Sequence, residues 1–538
     1  MNAPVTEEPL LPDGDIQGDV LAGFRKDHAR YLFYRLEAVA AAKASLAALL
    51  PRISPLADVA AFNEAFRRAR SRRGEPAGAM TAVWINVAFS RTGLAALAGE
   101  PDVDAFADSA FKAGMRKQSR SLGDAEDTAA PGHPNRWLFG GGRPVDAVVT
   151  IAADDPRVLS ATHEYVDALL TARPGGWTLV HDQPCATRRE QPGHEHFGFR
   201  DGISQPAPRG RLSSGALISP RYLDPDDPRA EAFARPGSPL VWPGEFVLGL
   251  PRQSPARVGE PAPAWRTGPS WAVNGSFLVI RRLSQDVDAF RRFCRESAAA
   301  LAMPGVSSER LAALLVGRWP SGAPISRSPE ADDPALGRDD FAANDFGFAS
   351  AWRTHATGPA RLRGDVPLPR GVSRTDGFPW PEADTDAVRC PTAAHIRKIN
   401  PRDEASDVGG AIDNLRRTIL RRGLPFGPSY DSDPAAERGL LFACYQASIV
   451  DQFAKLTNSW VQRPAVPRGR PPGHDLLLGQ GEGLFATLLD AEARPHTVSA
   501  SPSWVTPTGG EYFFTPSITA IRNVLAAPVR PAPERPGD

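Results

Sequence analysis

The sequence predicts an α+β fold made of two halves, and three observations support this prediction. Short apolar runs typical of strands alternate with amphipathic runs typical of helices from Tyr31 to His181. The same alternation resumes after a proline- and glycine-rich passage at Pro206–Gly244. With 538 residues, the chain is also longer than one hydrophobic core usually serves. We therefore expect one domain at residues 1–210 and a second at residues 211–525.

The first half opens with an apolar pattern close to helical spacing. Tyr31, Phe33, Leu36 and Ala40 begin this pattern, which ends at Pro51. The later elements are apolar runs bounded by polar, glycine or proline residues. The predicted elements are a helix at Tyr31–Leu50, a helix at Ala57–Arg70, a strand at Ala82–Phe89, a helix at Thr92–Ala98, a strand at Val145–Ala152, a helix at Leu159–Ala172 and a strand at Trp177–His181.

The second half contains similar elements, separated by a long stretch without periodicity. Residues 320–389 are rich in proline, glycine, aspartate and arginine, and within them 347–389 is predicted to be a long insertion. The tail 526–538 holds four prolines and is expected to be disordered. The predicted elements are strands at Glu245–Leu250 and Ser276–Arg282, a helix at Asp286–Ala298, a strand at Leu440–Tyr445, a helix at Ile449–Trp460 and a strand at Tyr512–Phe514.

Composition excludes several classes of partner. Lysine plus arginine and aspartate plus glutamate both number 62, so bulk charge attracts neither nucleic acid nor an anionic membrane. No apolar run reaches the length that spans a bilayer. The acidic N-terminus has no secretion signal, so we expect a cytoplasmic protein. Four cysteines without a CxxC pair indicate reduced thiols rather than disulfides or a zinc site.

One short segment presents a lone histidine, His395, shortly after Pro391. A lone histidine is most often a surface or core residue. The functional interpretation is an axial ligand of haem iron, with Arg397 and Arg402 beside it to pair with the haem propionates. A ligating histidine also needs a carboxylate on its other ring nitrogen, and we predict Asp451 for that position.

A second segment, Gly198-Phe199-Arg200-Asp201-Gly202, presents a carboxylate in a turn with glycines on both sides. Asp-Gly turns are common without any chemistry, but the apolar neighbours of Asp201 are unusual for a solvent turn. A carboxylate placed here can act as an acid/base on peroxide. Arg421 lies in a basic run, and on these residues alone a surface arginine is the favoured interpretation. The functional interpretation is a fixed guanidinium that stabilises developing charge.

Two further patterns complete the candidates. Leu440 and Phe442 lie on the same face of a predicted strand, where they form an apolar wall beside the peroxide. His194-Glu195-His196 has the spacing of a metal pair on a strand, but no third ligand is evident, so a structural role is favoured. The glycine run Gly140–Gly142 lacks the spacing of a nucleotide-binding loop and predicts a turn.

Taken together, these segments resemble the dye-decolorizing peroxidases. Gly198–Gly202 is similar to the GxxDG signature of that family, Cys390–Arg402 to its proximal-histidine segment and Leu420–Gly427 to its distal-arginine segment. The resemblance covers nearly the whole chain. Other similar segments are Asp15–Gly18, Gly317–Trp319, Asn344–Phe346, Gly439–Gln446 and Tyr512–Ser517.

The resemblance implies two ferredoxin-like halves with antiparallel sheets, of the dimeric α+β barrel type, with one haem b per chain in the second half. It makes His395 the proximal iron ligand and Asp201 the distal acid/base, with Arg421 as the distal cation. Leu440 and Phe442 match apolar distal positions, and Asp451 falls near the acidic partner of the histidine. The insertion at 347–389 is longer than usual in the family, and we hypothesise that it covers a haem edge or a subunit contact.

The function implied is a peroxidase that uses hydrogen peroxide to oxidise dyes, phenolics or other one-electron donors through a ferryl state. The alternative is a haem-binding protein that stores haem, delivers it or releases its iron, without significant peroxidase turnover. A third interpretation, a binding module without haem, leaves the paired segments as coincidence. The expected partners are peroxide and a small electron donor, without nucleic acid or membrane, and a homo-oligomer is compatible with the sequence.

Overall fold

Strands from both halves of the chain join in one antiparallel sheet. The computed structural model describes residues 7–71, 80–172, 176–265, 267–301, 303–349, 358–501 and 504–528. The strands are β1 His28–Leu36, β2 Val83–Ser90, β3 Ala147–Ala153, β4 Trp177–Ala186, β5 Ala207–Pro208, β6 Arg211–Ser213, β7 Ala216–Leu217, β8 Phe233–Arg235, β9 Ser238–Val241, β10 Arg252–Gln253, β11 Pro261–Ala262, β12 Ser276–Gln285, β13 Leu420–Arg421, β14 Leu424–Phe426, β15 Gly439–Gln446, β16 Leu484–Leu489, β17 Pro495–Ala500 and β18 Val505–Thr515.

The strand order confirms two ferredoxin-like halves. The sheet runs β13-β15-β12-β18-β2-β3-β1-β4, and β14 also pairs with β15. Within each half the first strand lies between the third and the fourth, and the second strand lies at the edge, which is the ferredoxin-like order. The halves join where Phe513 and Phe514 of β18 pair with Ser90 and Phe89 of β2. The sheet curves on itself, because β14 lies beside β4 at the opposite end.

The two faces of this curved sheet belong to different cores. Tyr31 and Phe33 of β1 pack into the inner core, which both halves share. Leu32 and Tyr34 face outward and pack under helices. Strand residues alternate between faces, so this run is apolar at every position. We call the face of Phe33 the inner face and the face of Leu32 the outer face.

Helices cover the outer face and fill the connections. Polar caps start several of them, since Asp155, Asp286 and Ser307 accept hydrogen bonds from backbone N–H groups of the first turn. The helices are α1 Gly18–Leu21, α2 Val39–Leu49, α3 Leu56–Ser71, α4 Arg91–Ala98, α5 Glu100–Asp104, α6 Ser109–Ala113, α7 Met115–Gln118, α8 Pro156–Thr171, α9 Val287–Ala300, α10 Ser308–Val316, α11 Pro334–Arg338, α12 His395–Ile399, α13 Ala411–Leu415 and α14 Ile518–Ala520.

A wider helix at Val450–Val461 follows β15. Its backbone hydrogen bonds reach five residues back, as from Ala454 N–H to the Ile449 carbonyl, so it is a π-helix. A second π-helical segment at Ile521–Leu525 continues α14. Short 3₁₀ turns lie at Leu50–Arg52, Pro134–Arg136, Pro243–Glu245, Ser270–Ala272 and Ala342–Asn344.

Two of the predicted elements are wrong. Tyr31–Leu36 belongs to strand β1 rather than to a helix, because both of its faces are buried and a fully apolar run carries no distinct period. Glu245–Leu250 is not a strand. Pro243 starts a 3₁₀ turn there, and Val247 N–H bonds back to the Pro243 carbonyl.

Other regions bear on the remaining predictions. All four cysteines are free and buried. Within the described ranges, no helix is both long and apolar enough to cross a bilayer. The insertion 347–389 has no helix or strand longer than an isolated bridge in its described part, and its residues 350–357 fall outside that part. Most of the tail 526–538, from residue 529 onward, also lies outside the described residues.

Candidate active site

A cavity of about 350 Å³ lies against the outer face of the C-terminal half of the sheet. Strand β12 supplies Arg281 and Leu283 to one wall, and β15 supplies Leu440 and Phe442. The π-helix, α12 and the loops 199–206 and 417–423 line the rest. His395, Asp201 and Arg421 therefore reach one cavity from three distant segments of the chain.

His395 lies at the first position of α12, and a buried carboxylate fixes its ring. The Asp475 Oδ2 atom lies 2.7 Å from His395 Nδ1, so Nδ1–H donates to this carboxylate. The other oxygen of Asp475 accepts the backbone N–H groups of Leu477 and Leu478 at 2.9 and 3.1 Å. In the neutral imidazole this arrangement leaves the lone pair on Nε2. That nitrogen has no hydrogen bond to any described residue, and it is the atom available to a metal.

Asp475 corrects the prediction that Asp451 is the partner of His395. Asp451 lies in the first turn of the π-helix, and its Oδ1 pairs with the Arg417 guanidinium at 3.1 Å. The side chain of Asp451 is 45 % exposed, whereas that of Asp475 is fully buried. Asp451 is therefore a partly solvated ion-pair partner of Arg417, outside the environment of the histidine.

Arg397 does not line the cavity, contrary to prediction. Its guanidinium is buried between Glu404, at 2.6 Å, and Asp384, at 3.0 Å. Lys398 is also turned away, donating to the Arg463 carbonyl at 2.9 Å, and burial lowers its pKa to about 8. These two cations anchor α12 and thereby fix the position of His395. Because Asp384 belongs to the insertion 347–389, the insertion braces this helix, although none of its described residues lines the cavity.

Asp201 and Arg421 form an ion pair inside the cavity. Arg421 Nη1 donates to Asp201 Oδ1 at 2.6 Å, and Gly202 N–H donates to the same oxygen at 2.6 Å. Asp201 Oδ2 receives no hydrogen bond from any described residue. The carboxylate is thus held by one oxygen and keeps the other free for proton transfer.

The environment keeps Asp201 ionised. Burial raises the pKa of Asp201, but the charge and hydrogen bond of Arg421 and the Gly202 N–H together outweigh it, so the pKa lies below its ordinary value of 3.8. Asp201 is therefore a base at neutral pH. A protonated residue would lack the free acceptor that this geometry provides.

Neighbouring residues hold the Asp201 loop and the Arg421 strand together, and sequence reasoning did not assign them this role. The Gln205 side chain bonds both the N–H and the carbonyl of Arg421, at 3.3 and 3.2 Å. Arg421 Nη2 donates to the Ser204 carbonyl at 3.0 Å. Glu195 accepts N–H groups of Phe197 and Phe199 at 2.9 and 2.8 Å. Glu195 is thus a loop anchor rather than a metal ligand, and the described residues contain no cluster of three metal-binding side chains.

Two arginines mark where the carboxylates of a cofactor fit. Arg402 lines the cavity and donates to Asn344 Oδ1 at 2.7 Å. Arg318 also lines it; its Nη1 donates to the carbonyls of Gly322 and Ala343, but its buried Nη2 has no partner among the described residues. Burial and the nearby charge of Arg402 lower the pKa of Arg318 to about 9. A buried guanidinium without a carboxylate partner is unfavourable unless an anion binds to it.

Part of the remaining lining is apolar. Leu440, Phe442, Phe453 and Leu456 face the cavity from β15 and the π-helix. A flat apolar ring system with two carboxylates and a metal that takes one imidazole ligand matches this set of contacts. The residues present therefore fit haem.

Comparison with known proteins agrees with this chemistry. Residues 15–174 match the family model described as the DyP dimeric alpha+beta barrel domain, and residues 368–467 match Dyp-type peroxidase, C-terminal. The chain is 33 % identical to dye-decolorizing peroxidase msp1 of Mycetinis scorodonius, over 95 % of this chain and 87 % of that protein. The chain belongs to the dye-decolorizing peroxidase family. It is an enzyme of the peroxidase class, and the cofactor of this family is haem.

Solved structures of dye-decolorizing peroxidases share the fold along nearly the whole chain. An ancestral D-type dye-decolorizing peroxidase superposes with a TM-score of 0.74 and 31 % identity, covering 96 % of this chain and 100 % of that one. A dye-decolorizing peroxidase in complex with 2,6-dimethoxyphenol gives a TM-score of 0.71 and 29 % identity, with the same coverage. The relative AauDyP1 of Auricularia auricula-judae is 30 % identical over 96 % of this chain and 87 % of its own length.

Proposed function

We propose that this peroxidase binds one haem b per chain in the cavity of the C-terminal half and uses hydrogen peroxide to oxidise dyes and phenolics. The observation that carries the proposal is the Asp201–Arg421 pair at 2.6 Å, which lines the same cavity as His395, whose ring is fixed by Asp475. A protein that only stores or delivers haem needs an iron ligand but has no use for an ionised base with a fixed cation. A cytoplasmic location and a homo-oligomer stay predictions of the sequence.

Different residues of the cavity would contact different parts of the cofactor. His395 Nε2 would bind the iron, while Asp475 fixes the ring and raises its basicity as a ligand. Arg402 and Arg318 would pair with the propionates, and the apolar side chains Leu440 and Phe442 would contact the ring. When bound, haem supplies the redox-active iron that accepts the two oxidising equivalents of peroxide.

Asp201 moves the proton. Ionised Asp201 accepts a proton from hydrogen peroxide at Oδ2 and returns it to the departing oxygen, so that this oxygen leaves as water. Arg421 keeps Oδ1 in place and stabilises the negative charge that develops as the O–O bond breaks. Two one-electron donors and two protons complete the conversion of peroxide to two water molecules. The apolar wall excludes bulk water and favours this charge stabilisation.

Rapid mixing of haem-loaded protein with one equivalent of hydrogen peroxide tests the proposal. We expect the absorption spectrum to change within milliseconds and to return when 2,6-dimethoxyphenol is added, in repeated cycles. The double variant Asp201→Asn/Arg421→Leu should bind haem but lose the fast change. Slow bleaching of the wild-type spectrum, with no return on addition of the donor, would instead identify a haem-handling protein.

A further inference from the structure

A second and larger cavity, of about 1,090 Å³, adjoins the candidate active site. The two cavities share five lining residues in the Asp201 loop and the Arg421 segment: Gly202, Gln205, Pro206, Arg421 and Gly423. Arg421 and Arg422 are neighbours in the chain with separate contacts. Arg421 bonds Asp201, whereas Arg422 donates to the carbonyls of Asp19, Val20 and Leu21 beside the second cavity. The second cavity therefore has its own lining chemistry.

This lining is strongly cationic. Among the described residues that line it, cations outnumber carboxylates by more than two to one. The cations are Arg25, Lys26, Arg67, Arg68, Arg221, Arg235, Arg363, Arg421 and Arg422, and the carboxylates are Asp13, Asp19, Glu64 and Asp340. Most of these cations have a carboxylate partner, such as Lys26 with Asp154 and Arg363 with Asp365. Arg25 and Arg235 form no ion pair with any residue in the described part of the chain.

Arg25 is held in a backbone conformation that arginine rarely adopts. Its φ is 50°, in the left-handed region, and Gly23 two residues earlier has a φ of 71°. Gly23 lets this turn approach Arg422, because a Cβ atom at Gly23 would lie 3.0 Å from the Arg422 Nε. The turn directs Arg25 to the cavity, where its guanidinium makes no hydrogen bond to any described residue. The Arg25 side chain lines the cavity and is exposed to solvent, and the charge of Arg235 acts on it.

Arg235 is half-buried and lies near the charge of Asp340 without an ion pair to it, and its hydrogen bonds leave most of its donors free. Its Nε donates to Ser238 Oγ at 2.9 Å, and neither of its Nη atoms bonds a described residue. Arg25 is exposed and Arg235 is half-buried, so the free donors of both guanidinium groups are open to an anion in the cavity. Arginine forks bind planar or tetrahedral acidic groups through paired hydrogen bonds.

The same cavity has an apolar part. Phe24, Leu212, Ile218, Leu424 and Tyr222 line it beside the arginines. Its volume is also at the upper end of the range usual for small-molecule sites, so a simple inorganic anion leaves most of it empty. We propose that the second cavity binds an organic anion that carries two acidic groups on an apolar body, with Arg25 and Arg235 binding the acidic groups. This binding requires no turnover and stands independently of the proposed peroxidase activity.

Calorimetric titration of the haem-loaded protein at low ionic strength tests the proposal. The probes are naphthalene-1,5-disulfonate, which carries two acidic groups on an apolar body, and sodium sulfate, which is an anion alone. We expect the disulfonate to bind at least tenfold more tightly than sulfate. Arg25→Gln and Arg235→Gln should each weaken disulfonate binding at least tenfold. Arg143→Gln is the matched control, because Arg143 is an exposed arginine outside this cavity that forms no ion pair with any described residue.

Arg25→Gly separates loss of the guanidinium from misfolding. Glycine adopts a φ of 50° without strain, so this variant should keep its melting temperature within a few degrees and still lose binding. The absence of disulfonate binding by the wild-type protein would overturn the proposal. Equal affinity in the wild type and the Arg25 and Arg235 variants would place the anion elsewhere and overturn it as well. Equal affinity for sulfate and disulfonate would reduce the site to charge alone, against the proposed apolar body.

Discussion

The two ferredoxin-like halves use the outer faces of their sheets in different ways. In the N-terminal half, Leu32, Val87 and Ile151 lie in one packed core with Leu46 of α2 and Val166 of α8, which leaves this face dry. In the C-terminal half, the outer face presents a different set of side chains to a cavity of about 350 Å³: Arg281, Leu283, Leu440 and Phe442. Phe277, Val279 and Phe514 on that face pack into the same core, so the same strand order supports a filled layer in one half and a partly open one in the other.

This difference between the two layers predicts where substitutions alter stability and where they alter chemistry. A filled layer loses packing energy when a side chain is shortened. The open layer instead holds charged groups that a packed core does not tolerate, such as Arg281, which needs buried Asp124 as its partner. Changes in the open layer should therefore alter cofactor binding and turnover, and changes in the filled layer should alter stability alone.

The largest effect expected in the open half comes from His395→Ala. Loss of the only proposed iron ligand should lower haem affinity by more than the ~10–100-fold that changes around a ligand cause. The measurement is the haem bound per chain after reconstitution and gel filtration. His496→Ala is the control, because His496 also pairs with a carboxylate, Asp490 at 3.1 Å, but lies outside the cavity. Full haem occupancy in His395→Ala would remove His395 from the proposed role.

Arg421→Leu should leave haem content nearly unchanged and slow the reaction with peroxide. Removal of one fixed donor to a developing charge typically costs ~10²–10³ in rate. The rate of the absorption change after mixing with hydrogen peroxide measures this effect. Arg417→Leu is a matched control, since Arg417 lines the same cavity but pairs with Asp451. Similar slowing in both variants would show that any cation in the cavity serves, against a specific role for Arg421.

Asp475→Asn should weaken haem binding or turnover by ~10–100-fold. Asp475 uses Oδ1 for two backbone N–H groups and Oδ2 for His395, whereas asparagine has a single acceptor oxygen. One of these donors therefore loses its acceptor in the variant. Asp451→Asn, which changes the residue predicted from sequence, should have little effect on haem affinity. A larger loss from Asp451→Asn than from Asp475→Asn would restore the sequence prediction.

Asp475 and Asp451 show how much of the site could be predicted from the sequence. His395, Asp201 and Arg421 lie in short segments whose order and composition indicate haem chemistry, so the sequence alone predicted them as site residues. The partner of His395 lies 80 residues away in the chain, and its approach depends on how the segment after the π-helix folds back. Arg397 and Arg402 follow the histidine by two and seven positions, and sequence alone does not tell which of them reaches the cavity. The buried carboxylates Glu404 and Asp384 direct Arg397 away from it.

The fold, like the site, could be predicted from the sequence only in part. Amphipathic helices such as α3 and α8 were predicted within one to three residues of their bounds, because one apolar face gives a clear period. Strand β1 was mistaken for part of a helix, because it is buried on both faces. The join between β18 and β2 depends on pairing residues more than four hundred positions apart, which no local pattern reports.

The pH dependence should separate the roles of Arg421 and Asp201. The pKa of Asp201 lies below 3.8, so the base form persists at moderately acidic pH and activity is lost only as pH falls through that low pKa. In Arg421→Leu the effect of burial remains without the opposing cation, so the acid limb of kcat/KM should move to higher pH. Profiles of kcat/KM against pH for both proteins measure the shift. An acid limb at the same pH in both proteins would show that another group titrates.

The smallest effect on chemistry is expected in the filled half. Leu32→Ala removes a fully buried side chain from the outer face of β1 and should lower the free energy of unfolding by about 2–5 kcal/mol. The rate per bound haem should stay unchanged, because Leu32 does not line the cavity. Chemical denaturation gives the stability, and peroxide turnover normalised to haem content gives the rate. A loss of turnover per haem would mean that packing in the N-terminal half positions the Asp201 loop, and the separation between the filled and open halves would then fail.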